Sequence, residues 1–315
     1  MSEISQEQIS TAYERIKPYI RKTPVLEVSG GPFGHDVPVH LKLECLQHAG
    51  SFKPRGAFNS LIGVSVPGAG VVAASGGNHG AAVAYAAHTL GVPAHIYVPE
   101  ISSPAKVNLI KRLGAEVIVT GARYADALSA SQAFRAESGA LTIHAYDQVS
   151  TLEGQGTVGL ELEGQASGLD TLLVAVGGGG LIGGVAAWYR GRTKIVAVEP
   201  ETSCALHAAL EAGHPATVHP EGVAADSLGA ASVGDLMFPI AQSFVDHVAL
   251  VPDEAITQAQ VWCWQNLRLA TEPGGAVALA ALLSGAYAPE KGERVGVIMC
   301  GANVELAKLA KLVSH

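Results

Sequence analysis

This sequence of 315 residues predicts an α/β fold of mostly parallel sheets flanked by helices. Three observations carry that prediction. Apolar, β-branched runs alternate with segments of helical spacing, the rhythm of βαβ units. Gly is abundant, at 37 residues, and charged residues make up 15% against 48% hydrophobic, the balance of glycine loops between buried strands. Four consecutive glycines, Gly177, Gly178, Gly179 and Gly180, separate a strand-like run at 171–176 from a run at 181–189 that can open a helix.

Taken in order, residues 5–21 space Ile9, Tyr13, Ile16 and Ile20 as a helix does, with Ser5 at the cap. Thr23 and Pro24 turn the chain extended. Residues 39–44 alternate as a strand does, and a loop over 47–56 enters a helix at about Pro54, a favoured first helical position. Strands are expected at 71–74, 94–98, 116–120 and 141–144, with helices to about 90, at 104–113 and at 124–137. A second series follows: a helix around 156–163, the strand and glycine turn, and a strand at 194–199. After an irregular stretch to about 251 come helices at 253–269 and 275–283, a strand at 294–299 and a closing helix. The expected division is a small domain, 70–145, inserted into a larger one made of 1–69 and 146–315.

The bulk properties exclude several functions. A net charge of −8 gives no basic footprint for nucleic acid. Cys45, Cys204, Cys263 and Cys300 form neither a CxxC pair nor a zinc spacing, so free thiols in a reducing cytoplasm are expected. The polar, acidic N-terminus is unlike a signal peptide. Residues 56–99 contain no Asp, Glu, Lys or Arg, but prolines and glycines interrupt them. No apolar span of ~20 residues remains, so the stretch reads as buried core rather than membrane.

A strand that turns through glycines into a helix presents bare backbone N–H groups, which suits a phosphate. Two owners of that phosphate fit. Gly178 to Gly183 satisfies GxGxxG, with Glu199 closing the next strand about 20 residues on, as in an NAD-binding fingerprint. The competing reading starts from Ser51-Phe-Lys-Pro-Arg-Gly-Ala57.

That segment resembles the lysine motif of the fold-type II pyridoxal-phosphate enzymes, the serine and threonine dehydratases (threonine ammonia-lyases), serine racemase and their relatives. Further segments match in the expected order: Ser75-Gly-Gly-Asn-His-Gly80, Gly154-Gln-Gly-Thr157, Gly177 to Gly180, Val198-Glu-Pro200, Thr271-Glu-Pro-Gly-Gly275 and Cys300-Gly-Ala-Asn303. The resemblance spans most of residues 20–305. It implies a tryptophan synthase β-like fold, with two open, twisted, mostly parallel sheets flanked by helices.

The resemblance also implies roles. Lys53 is the cofactor lysine and then the base for the Cα proton. Phe52 stacks on the pyridine ring, and Asn78 hydrogen-bonds the 3′-oxygen. Ser75 binds the substrate carboxylate. Gly177 to Gly180 cradle the phosphate, which assists loss of the β-hydroxyl. Cys300 meets the pyridine nitrogen, where a thiol leaves the ring largely neutral and favours prompt loss of a β-substituent. His79 reads as structural.

Two departures narrow the expectation. Where racemases carry a second serine as the opposite-face base, this chain has Gly76. Where they place an aspartate six residues after the glutamate matched by Glu199, it has Ala205, which argues against a tightly held Mg²⁺. Glu199 stays the candidate ligand of a monovalent cation. With the sequence ending soon after Asn303, the regulatory domain of the biosynthetic threonine dehydratases is not expected. The expected protein is a cytoplasmic, homodimeric lyase converting L-threonine or L-serine to a 2-oxo acid and ammonia. Serine racemase and threo-3-hydroxyaspartate ammonia-lyase are the alternatives, followed by an NAD-dependent oxidoreductase.

Overall fold

The computed structural model describes residues 4–29 and 38–314. The strands are β1 (Val25–Val28), β2 (Val39–Lys42), β3 (Val71–Ala74), β4 (Ala94–Val98), β5 (Glu116–Val119), β6 (Leu141–Thr142), β7 (Thr171–Ala175), β8 (Lys194–Pro200), β9 (Val245–Val251) and β10 (Val295–Ile298). The helices begin with α1 (Gln6–Ile16), α2 (Pro54–Ile62), α3 (Asn78–Thr89), α4 (Pro104–Arg112), α5 (Tyr124–Ser138), α6 (Val149–Gln165) and α7 (Gly180–Tyr189). They continue with α8 (Ala205–Ala212), α9 (Ala225–Leu228), α10 (Phe238–Phe244), α11 (Asp253–Trp262), α12 (Pro273–Ser284) and α13 (Leu306–Val313).

Two sheets result. One has the order β1-β2-β10-β7-β8-β9, parallel except for the β1–β2 pair; the other, β5-β4-β3-β6, is all parallel. Both are the open, parallel-rich sheets flanked by helices that the sequence predicts. Strand order positions the site. Because β2, β10 and β7 are adjacent and parallel, the segments that follow them emerge side by side at one end of the sheet. Those segments carry Lys53, Cys300 and the glycine run.

Each sheet has its own core. Ile16, Ala57, Phe58 and Leu61 pack into the core of the four-stranded sheet with α3. The helix α2 therefore lies between α3 and α6, joining the two halves.

Several boundaries differ from the sequence expectation. Helix α1 stops at Ile16 because Pro18, just past its cap Lys17, has no N–H to continue the ladder. Helix α6 starts at Val149, well before Gly156, since Gly154 and Gly156 are interior positions where other helices approach closely. Helix α11 ends at Trp262 and widens into a π-turn, Cys263–Leu267. The stretch expected to be irregular holds α8, α9, α10 and the strand β9, which pairs with β8 through a register shift. Among the described residues, no helix is long and apolar enough to cross a membrane.

Candidate active site

Lys53 precedes α2, and Pro54 at the first helical position fixes the chain's direction there. Its Nζ donates to the carbonyl of Ala145 at 2.7 Å and lies 5.1 Å from the Phe52 ring centroid. Burial pushes the Lys53 pKa down to about 8, against the opposing pull of Cys300 and Glu272. An amine in that range has a usable neutral fraction at physiological pH, the state that attacks a carbonyl.

The glycine run forms the facing wall. α7 opens at Gly180, so its first-turn N–H groups have no intrahelical partner. Gly179 has φ +88°, which side-chain-bearing residues avoid. A Cβ on Gly178 would come within 2.3 Å of the Tyr146 ring, and one on Gly177 within 3.0 Å of Leu228 Cα. The cradle is built to present backbone alone. Together with the helix N-terminus, that fits a phosphate monoester.

One narrow cavity is lined by Phe52, Lys53, Asn78, Gly177 to Gly180 and Cys300, so the structure brings these predicted residues together. Ser75 and Glu199 are not in that lining. Ser75 Oγ accepts from Gly77 N at 3.3 Å in the turn after β3. Glu199, buried at the end of β8, accepts from Leu206 N at 2.9 Å and His207 N at 2.8 Å, and so caps α8. Burial raises its pKa to about 7. Among the described residues, no group of three His, Cys, Asp or Glu side chains could hold a metal ion.

Cys300 is buried, which pushes its thiol pKa up. Its Sγ donates to the Gly274 carbonyl at 3.3 Å. The sulfur therefore stays a neutral thiol that cannot supply negative charge to a ring nitrogen. His79 is structural: Nε2 pairs with the Ile143 carbonyl at 2.9 Å, and burial lowers its pKa to about 3.

Tyr146, Ser227, Glu272 and Asn303 were not assigned from sequence. Asn303 Nδ2 donates to Ala49 O at 2.8 Å and to Asn78 Oδ1 at 2.7 Å. Asn78 Nδ2 in turn donates to Glu272 Oε1 at 2.5 Å. That chain fixes which way the Asn78 amide faces and leaves its second N–H for the cavity. Both Glu272 and Asn303 lie inside matched motifs, which was a signal. Tyr146 follows β6 in a loop with no such signal. A larger cavity of about 440 Å³ adjoins the first and shares Ser227 and Glu272 with it.

Comparison with known proteins identifies the family. Residues 16–301 match the family model described as pyridoxal-phosphate dependent enzyme. The chain is 37% identical over 310 residues to serine racemase from Oryza sativa subsp. indica, covering 96% of this chain and 91% of the relative. It is 34% identical over 314 residues to an L-threonine ammonia-lyase from Geobacter sulfurreducens, covering 98% and 77%. The structure of maize serine racemase superposes with a TM-score of 0.93 at 36% identity, covering 98% of this chain and 97% of that one. With its two parallel-rich sheets and a buried lysine facing a glycine cradle, this chain belongs to the fold-type II family of pyridoxal-phosphate-dependent enzymes.

Proposed function

We propose that this chain is an ammonia-lyase that dehydrates a β-hydroxy amino acid, L-threonine or L-serine, to a 2-oxo acid and ammonia. The observation that carries it is the buried Lys53 amine in one cavity with the glycine cradle and a neutral Cys300 thiol. Pyridoxal phosphate, when bound, supplies the electron sink that makes the substrate Cα proton removable. The N–H groups of Gly177 to Gly180 would hold its phosphate, and Phe52 would pack against its ring. Asn78, oriented by Asn303 and Glu272, would offer an N–H to its phenolic oxygen. Ser75 and the turn around it take the substrate carboxylate.

Lys53 Nζ accepts the Cα proton as general base. The β-hydroxyl leaves as water, and the enamine product takes water back as it hydrolyses to the 2-oxo acid and ammonia. Cys300, uncharged, does not stabilise a protonated ring nitrogen, which favours loss of the β-group over reprotonation. The adjoining cavity gives the substrate its way in.

Serine racemase is the second reading, favoured by the 37% identity to the rice enzyme. Against it stands Gly76, which offers no side chain for a proton on the opposite face. Products from L-serine and L-threonine decide between them, with threo-3-hydroxyaspartate in the same panel. A 2-oxo acid formed with ammonia supports the lyase, and D-serine as the main product overturns it.

The same proposal places the protein in the cytoplasm as a homodimer, with 70–145 as a small domain inserted between 1–69 and 146–315. It also includes a monovalent cation beside Glu199, both of whose carboxylate oxygens keep a free lone pair. Light scattering tests the dimer, and activity in potassium against choline salts tests the cation.

A further inference from the structure

The segment Gly154-Gln-Gly-Thr157 lies inside α6, between the helix that follows Lys53 and the helix that follows the glycine run. A Cβ on Gly154 would meet Arg55 O and Gly56 Cα at 2.6 Å, and one on Gly156 would meet Gly184 O at 2.9 Å. α6 therefore touches the backbone of α2 through Gly154 and the backbone of α7 through Gly156. One helix sets the spacing of the other two.

A buried ionic cluster lies beside the first crossing. Arg55 Nε and Nη2 donate to Glu44 Oε2 and Oε1 at 2.8 and 2.7 Å. Arg55 Nη2 reaches Glu161 Oε1 at 3.1 Å, and Nη1 reaches Thr157 Oγ1 at 3.3 Å. Lys42 Nζ completes the group, donating to Glu161 Oε1 at 2.5 Å and Thr23 O at 2.8 Å. Lys42, Glu44 and Arg55 are 0% exposed and Glu161 3%. Two positive and two negative charges cancel, but desolvating such a group costs about as much as the pairing returns. Stability alone does not account for it.

On the other side of Lys53, Phe52 N donates to Cys300 O at 3.2 Å, and Ser51 bridges to Gly301. Lys53 thus sits between a tether to the segment after β10 and an ionic clamp into α6. We propose that Arg55, seated on Glu44 and Glu161 across the Gly56–Gly154 contact, is a positioning residue that sets where the Lys53 amine meets a cofactor held by the α7 cradle. The proposal rests on Lys53 being the cofactor lysine.

The test compares binding of pyridoxal phosphate and pyridoxine phosphate to cofactor-free protein by fluorescence titration. Pyridoxine phosphate has the same ring and phosphate but an alcohol in place of the aldehyde, so it cannot condense with an amine. The ratio of the two affinities reads the Lys53 link separately from the cradle. Arg55→Lys keeps the charge but loses the planar fork. Gly154→Ala pushes α2 off α6 and leaves every charge in place. Thr157→Val, the mildest change, removes one contact to Arg55.

In Arg55→Lys and Gly154→Ala the ratio should fall about tenfold or more, the scale expected when a reacting group is misplaced. Pyridoxine phosphate affinity should stay within about threefold, because the cradle is untouched. Thr157→Val should move the ratio the same way by a smaller factor, and it decides the matter if the other two do not fold. An unchanged ratio, or parallel weakening of both ligands, overturns the clamp. Lys53→Ala separates the two ideas: a ratio that survives this change overturns the lysine assignment itself.

Discussion

Asn78 donates its side-chain amide to the buried carboxylate of Glu272 at 2.5 Å while accepting from Asn303 at 2.7 Å. The residue proposed to face the cofactor's phenolic oxygen is thus held by partners 194 and 225 positions away in sequence. Glu272 is the more telling of the two. Burial raises its pKa to about 7, with the hydrogen bond from Asn78 and the charge of Lys106 pulling the other way.

A raised carboxylate pKa makes the folded state bind a proton that the unfolded chain has already lost. Stability therefore falls as pH rises from the ordinary carboxylate value of 4.5 to about 7. Glu272→Gln keeps an acceptor for Asn78 and removes the titration. Denaturant midpoints across that window should show the variant gaining on the wild type as pH rises. A constant gap would mean that Glu272 does not titrate there.

The cradle admits no side chain. Gly178→Ala forces a Cβ to within 2.3 Å of the Tyr146 ring, at ring atoms next to its attachment point that cannot swing away freely. Affinity for pyridoxal phosphate should drop about tenfold or more, since the phosphate anchor is distorted. Equilibrium dialysis measures this, and affinity equal to wild type would remove the glycines from the site.

Gly76 bears on the choice between elimination and racemisation. A Cβ there points at Ser102 Oγ, 2.7 Å away, the free end of a small side chain that can turn aside. Gly76→Ser should then raise the ratio of D-serine to pyruvate formed from L-serine, read by chiral chromatography. An unchanged ratio would show that the opposite face is closed to proton transfer for some other reason.

Much of this was legible in the sequence because the informative signals are local. Four glycines between apolar runs announce a phosphate site by themselves, whereas Lys53 and Cys300 take their roles only from the ordered set of motifs around them. The strand–helix rhythm likewise announced parallel βαβ units, and the motif set implied their division into two sheets. What stayed hidden depends on contacts between distant segments. Glu272 and Asn303 acquire a purpose only once the fold sets them beside Asn78. Tyr146 sits in a loop whose position against Gly178 no pattern announces. The strand β9 was missed because it lies at the sheet edge with only part of its length buried. α6 was shortened because glycines inside a helix ordinarily argue against one, whereas here they permit two close crossings.

The Lys53 amine should be reactive in cofactor-free protein at a pH where other lysines are not. Burial pushes its pKa down to about 8 from the ordinary lysine value of 10.5. Competitive acylation with peptide mapping should give a Lys53 midpoint near that value. A midpoint among those of the exposed lysines would mean that the site is wetter than its walls suggest.

The most direct measurement is borohydride reduction of the protein loaded with pyridoxal phosphate, followed by peptide mass mapping. A reduced phosphopyridoxyl group on Lys53, lost together with the near-violet absorbance in Lys53→Ala, is the predicted result. Modification at another lysine instead, or no reducible chromophore in the loaded protein, would contradict Lys53 as the centre of this site.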